Sequence, residues 1–236
     1  MQTYLIGLLR GEIDLVYQQH RLYKSSLDAV NDWSLIWIPP VDADDSNRMD
    51  DIIESFCQQY ENMWYTEYEN GFVILSDTKH VEHLHNISLR YKGKCRIGVS
   101  EPYGRLLDTK KQLSYIQIAL KVADFEKQDN DMVFVNKYKM PMLFLSYFQG
   151  APREAYVNPT LEEMKKYDKL HSTEYCETLR IFLLKNMDYN EISKELFVHK
   201  NTVNYRIQRI SELFKLNLKD CRVITSLYLS LFAELL

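Results

Sequence analysis

The sequence predicts an α+β chain, with a βαββαβ domain followed by an all-α helix-turn-helix domain. Three observations carry that prediction. Up to about residue 149, short apolar runs of strand length alternate with segments of helical spacing, and after Gln149-Gly150-Ala151-Pro152 every periodic segment is helical. Asn70-Gly71 lies between two apolar runs, a strong hairpin signal. Residues 189–214 carry two short apolar stripes joined by a tight connector. The composition permits this. The chain has 236 residues, 46% hydrophobic and 26% charged, enough for one large domain or two modest ones with a real core.

Each element has its own signal. A helix is expected over 4–22 and a strand over Ser34–Ile38, which Pro39-Pro40 ends. Met49, Ile52, Ile53 and Phe56 sit at helical spacing within a helix over 48–60. MWYTEY, a turn at Glu69-Asn70-Gly71 and FVILS form the hairpin. A short helix near 81–89, a strand over Cys95–Val99, a long helix over 108–125 and a strand over Met132–Val135 complete the first domain. This order predicts helices on one face of an antiparallel sheet. In the second half, Thr160-x-x-Glu163 reads as a capping box after Asn158-Pro159, and Asp188-x-x-Glu191 repeats the pattern. Further helices are expected over 173–185, 200–214 and 219–235. The expected divisions are 1–25 as an N-terminal helix and linker, 26–149 as the sheet domain, and 150–236 as the helical domain.

Several classes are excluded or disfavoured. Seven Gly and six Pro rule out a collagen-like or low-complexity chain. No apolar run reaches about 18 residues, and the start lacks a basic region and a small-residue cleavage site. A soluble cytoplasmic protein with no membrane partner is expected. Cys57, Cys95, Cys176 and Cys221 are scattered without a CxxC pair, so free thiols are expected. His80, His83 and His85 lie close in sequence with no fourth ligand at companion spacing, and a surface segment is favoured over a metal site. No metal and no cofactor are expected.

The charge is uneven. The net charge is −4, but residues 151–236 hold 13 Lys and Arg against 12 Asp and Glu, while 1–150 hold 16 against 21. The C-terminal part is therefore the more basic end. On a helical wheel, Val203, Ile207, Ile210 and Phe214 fall within about 60° of one another. Asn201, Asn204, Tyr205, Gln208 and Arg209 project from the other side, and no acidic residue occurs from His199 to Ser211. Asn and Gln pair bidentately with adenine, and Arg with guanine. Lys200, Thr202 and Arg206, the last by snorkelling, suit phosphates. His199 sits where a capping residue is expected, within reach of a phosphate. Phe197 stands where Gly is frequent and is expected to pack against the helix over 173–185.

Residues 160–236 resemble the C-terminal DNA-binding domain of the PucR/CdaR group, the purine-catabolism and sugar-diacid regulators. The likeness rests on Tyr167-Asp168, Glu177-Thr178-Leu179, Leu213, the apolar final helix around 226–236 and, above all, LFVHKNTVNYRI over 196–207. Lys200 and Asn204 depart from the family's usual Arg and basic residue, which bears on the bases read. The first half resembles the same regulators' degenerate GGDEF-like cyclase region, through Leu8–Gly11, Asn70–Leu75, Ile97–Ser100 and the helix over 114–123. Members commonly carry a sensory domain ahead of that region. Here the resemblance begins within ten residues, so a shortened chain or a lost sensor is expected.

The resemblance implies a bacterial transcriptional regulator that binds double-stranded DNA as a dimer or larger assembly. It leaves operator, inducer and sign of regulation open. Cyclase chemistry needs a Gly-Gly-Asp-Glu turn, and aligning on Phe72 puts Tyr68, Glu69, Asn70 and Gly71 there. Asp42, Asp44 and Asp45 after the first strand offer acids, but a solvated turn is favoured. A non-enzymatic dimerisation or relay domain is expected. The competing readings are a divergent nucleotide cyclase and a helix-turn-helix that binds protein.

Overall fold

The computed structural model describes residues 1–40, 43–90, 96–127, 130–148 and 157–233, with backbone alone at 15, 18, 19, 25, 43–48, 90 and 146–148. The Gln149–Pro152 punctuation, Asp42, Cys95 and the side chains of Asp44 and Asp45 lie outside what is described. The chain divides into two compact units, Met1–Met142 and Leu143–Leu236.

The first unit runs α1 (Gln2–Arg10), α2 (Ile13–Leu27), β1 (Trp33–Ile38), α3 (Ala43–Cys57), β2 (Met63–Tyr68), β3 (Gly71–Asp77), a 3-10 turn and α4 (His85–Arg90), β4 (Ile97–Val99), α5 (Thr109–Phe125) and β5 (Met132–Phe134). Strand order is β2-β3-β1-β4-β5. The first four strands pair antiparallel, which is the split βαββαβ arrangement.

The first unit departs from expectation in several places. The single helix over 4–22 is two, because Gly11 takes a left-handed conformation (φ 74°) and Gly11 and Glu12 donate back to Leu8 and Gly7. The sheet is not wholly antiparallel, since β5 runs parallel to β4 through the α5 crossover. Both faces are covered. On one, Ile36, Ile38, Phe72, Ile74, Ile97 and Val99 pack with Met49, Ile53 and Phe56 of α3 and with Ile87 of α4. On the other, Ile116 and Leu120 of α5 lie over Gly98, and α1 packs on β2 and α5. That is why all six residues of β1 are buried rather than alternate ones.

The hairpin turn falls within the expected Glu69-Asn70-Gly71 but is one residue shorter. Glu69 (φ 47°) and Asn70 (φ 61°) are its two central residues, and Gly71 pairs with Tyr68 inside the ladder. Gly71 is needed for a different reason. A Cβ there would sit 2.4 Å from the Ile38 carbonyl oxygen and 2.9 Å from the Trp37 ring.

The division at Met142 falls inside α6 (Lys139–Phe148), and the second unit continues with α7 (Pro159–His171), α8 (Tyr175–Leu184), α9 (Tyr189–Glu195), α10 (Lys200–Leu213) and α11 (Cys221–Phe232). α8 is central and touches α7, α9, α10 and α11. Its Leu179, Ile181 and Phe182 are buried with Met164, Ile192, Val203, Ile210, Leu227 and Phe232. The first cap falls on Asn158, whose side chain accepts from Thr160 N–H, so Thr160 is not the N-cap. Pro159, with φ preset for the first helical position, fixes that start. Asp188 caps α9 as expected, accepting from the N–H groups of Asn190 and Glu191. Glu191 turns to Lys194 instead of completing the box.

Candidate nucleic-acid interface

α9 and α10 form a helix-turn-helix whose connector is built by backbone hydrogen bonds. Phe197 N–H donates to Lys194 O (3.3 Å) and Val198 N–H to Ser193 O (3.1 Å), the Schellman closure of α9. The closure needs a left-handed residue at Phe197 (φ 53°), which is why Gly suits the position. It also overturns the expected packing of Phe197. The ring is 93% exposed, since the left-handed turn directs it away from the α8 core.

His199 caps α10. Its Nδ1 accepts from Asn201 N–H at 3.2 Å, while its carbonyl accepts from Thr202 and Val203. The acceptor role requires that Nδ1 be unprotonated. Val203, Ile207 and Ile210 are buried and Phe214 is half-buried, its ring edge-on to Tyr167 at 5.7 Å. The opposite side carries Asn201, Thr202, Asn204, Tyr205 and Gln208, all exposed. Asn201, Thr202, Asn204 and Tyr205 take no side-chain hydrogen bond or ion pair among the described residues. Lys200 lies at the helix start, with Nζ donating to Asn190 Oδ1 of α9 (3.1 Å).

Two basic residues are held differently. Arg206 turns inward, reaching Glu174 Oε2 at 3.0 Å and donating to Thr178 Oγ1 at 3.2 Å. It ties α10 to α8 and does not extend to solvent as snorkelling would place it. Arg209 stays at the surface but donates to Glu212 Oε2 at 2.9 Å, and Gln208 Nε2 donates to Glu212 Oε1 at 3.0 Å.

One supporting residue has a role that spacing did not reveal. Asp168 of α7 accepts from Thr173 Oγ1 (2.6 Å), Tyr175 N–H (2.9 Å) and Cys176 N–H (2.8 Å). It therefore caps α8 from another helix, which no local cap does, because Glu174 makes no side-chain cap bond. A cap seven residues away in sequence leaves no short-range motif.

The histidine segment is arranged otherwise. Tyr60 stacks on His83 and tilts against His80, each at 5.0 Å, and Ser88 lies 3.4 Å from His85 Nδ1. Among the described residues no three His, Cys, Asp or Glu side chains converge as metal ligands. No helix among them is long and apolar enough to cross a membrane.

Residues 175–233 match the PucR C-terminal helix-turn-helix domain. The chain is 33% identical over 136 residues to the proline-responsive transcriptional activator PutR of Bacillus subtilis (strain 168), covering 57% of this chain and 33% of that protein. The DNA-binding transcriptional activator AdeR of the same strain is 35% identical over 74 residues, 31% of this chain and 18% of that one. That strain's purine catabolism regulatory protein is 24% identical over 145 residues, 61% of this chain and 27% of its own. The matched segments thus span a third or less of these relatives.

Proposed function

We propose that this chain, which carries the C-terminal helix-turn-helix domain of the PucR-type transcriptional regulators, regulates transcription by laying α10 in the DNA major groove. The single observation that carries the reading is the face of α10. Asn201, Thr202, Asn204, Tyr205 and Gln208 stand exposed above a buried Val203–Ile207–Ile210 stripe. Amides at the centre of that face suit base edges, and Lys200 and Arg209 suit the phosphates beside them. The His199-capped helix start presents N–H groups and partial positive charge to a phosphate. Arg206 serves this function indirectly by fixing α10 on α8.

The chain acts as a dimer or larger assembly on paired half-sites about one helical turn apart or a multiple of it. The sheet unit is a degenerate GGDEF-like domain that serves dimerisation or signal relay and turns over no nucleotide. Its strand arrangement supports the likeness. Its hairpin supports the loss of chemistry, since Glu69 and Asn70 occupy the turn and the Glu69 carboxylate accepts from Gln117 of α5 at 3.2 Å.

The test is a gel-shift titration across salt, run beside a nucleoside triphosphate turnover assay. Contacts to about six to ten phosphates per dimer predict a roughly 10³–10⁵-fold loss of affinity between 50 and 200 mM salt. A salt-independent complex with protein but none with DNA contradicts the reading. Turnover above background contradicts the assignment of the sheet unit.

A further inference from the structure

The acid-free run of α10 ends at Glu212, and that carboxylate lies on the reading face rather than behind it. Asn201, Tyr205, Gln208 and Glu212 follow at intervals of four, three and four residues, so their side chains fall within about 60° on the helical wheel. Glu212 is bonded to two of its neighbours on the helix. Oε1 accepts from Gln208 Nε2 at 3.0 Å and Oε2 from Arg209 Nη1 at 2.9 Å.

An ionised carboxylate only accepts, so it fixes which end of the Gln208 amide faces it. The amide nitrogen turns toward Glu212. The carbonyl oxygen and the remaining N–H are then left together for whatever approaches the helix. An acceptor beside a donor is the pattern that the N6 and N7 edge of adenine complements. Left alone on an exposed helix, Gln208 would sample both amide orientations, and one of them presents the reverse pattern.

We infer that Glu212 is a specificity-determining positioning residue that orients Gln208 for adenine while holding Arg209 beside it. The carboxylate contributes discrimination and no gross affinity. It places negative charge near DNA, so it weakens binding wherever Gln208 finds no matching base.

This inference rests on the groove reading of α10, and one experiment separates the two. The full chain selects duplexes from a random pool, and Gln208→Ala, Glu212→Ala, Glu212→Gln and the double Ala variant are then scored on the best site. Each is scored against a duplex changed at single base pairs, as a ratio within one preparation, so differences in folded fraction cancel. Gln208→Ala is expected to relax one A·T preference by about tenfold. Glu212→Ala is expected to relax that same base pair by a similar factor, with no further loss in the double variant, while binding to unrelated duplex does not fall. Glu212→Gln keeps an acceptor oxygen and retains the preference. If Gln208→Ala relaxes a base pair and Glu212→Ala leaves it intact, or alters all duplexes equally, the inference is overturned and the groove reading stands. A wild-type chain that selects no sequence overturns both.

Discussion

Asp168, Phe197 and Arg206 share the helical unit, yet each acts through a different term. Asp168 supplies the only side-chain acceptor for two N–H groups at the start of α8 among the described residues. Replacing it by Ala strands those donors and the Thr173 hydroxyl, and should cost about 1–2 kcal/mol of unfolding free energy. Chemical denaturation measures it, and an unchanged midpoint contradicts the capping role. Phe197 is the reverse case. Its ring is exposed while its backbone is left-handed, so it gains little from burial and bears a steric cost. Phe197→Gly is expected to hold or raise the melting temperature, by up to about 1 kcal/mol of stability. A fall of similar size would mean the ring packs. Arg206→Ala breaks a partly buried pair with Glu174 and the bond to Thr178. It should loosen the unit by about 1 kcal/mol and leave the slope of DNA affinity against salt unchanged, since no phosphate contact is lost.

Helices and strands were readable from the sequence to different depths. The α10 stripe at 203, 207 and 210 was plain because a period of 3.6 residues sorts polar from apolar once one face is buried. His199 as a cap and Asp188 as a cap followed from residue type and position. The break at Gly11 was hidden because apolar residues continue on both sides of it, and only the backbone conformation separates α1 from α2. The covered second sheet face was partly announced by the apolar run Leu35–Ile38 of β1, which buries on both sides instead of alternating. Arg206 could not be placed from spacing, because its partners Glu174 and Thr178 come from another helix. The pairing of Gly71 within the ladder had the same origin. Asn-Gly announces the turn, but the contact of Gly71 with Ile38 decides that the glycine belongs to the ladder. Gly71→Ala should therefore destabilise the sheet unit by about 1–3 kcal/mol through overpacking, with the hairpin otherwise preserved. Thermal denaturation of that variant checks it, and a neutral result would place the turn one residue later.

Taken as a molecule, the chain joins an acidic unit built on a doubly covered sheet to a helical unit with one polar, mostly acid-free face. On the proposed groove reading, the division lets a chain of net charge −4 approach DNA. In that reading the local field on α10 governs docking, and the remaining charge is carried elsewhere in the sequence. The role of α10 as the groove-reading helix is decided by the affinity of the Lys200→Ala, Asn201→Ala, Arg209→Ala triple variant for the selected operator, at two salt concentrations. Loss of operator discrimination and a shallower salt dependence are expected, with folding intact because all three side chains lie outside the buried stripe. Operator affinity equal to wild type at both concentrations would contradict that role.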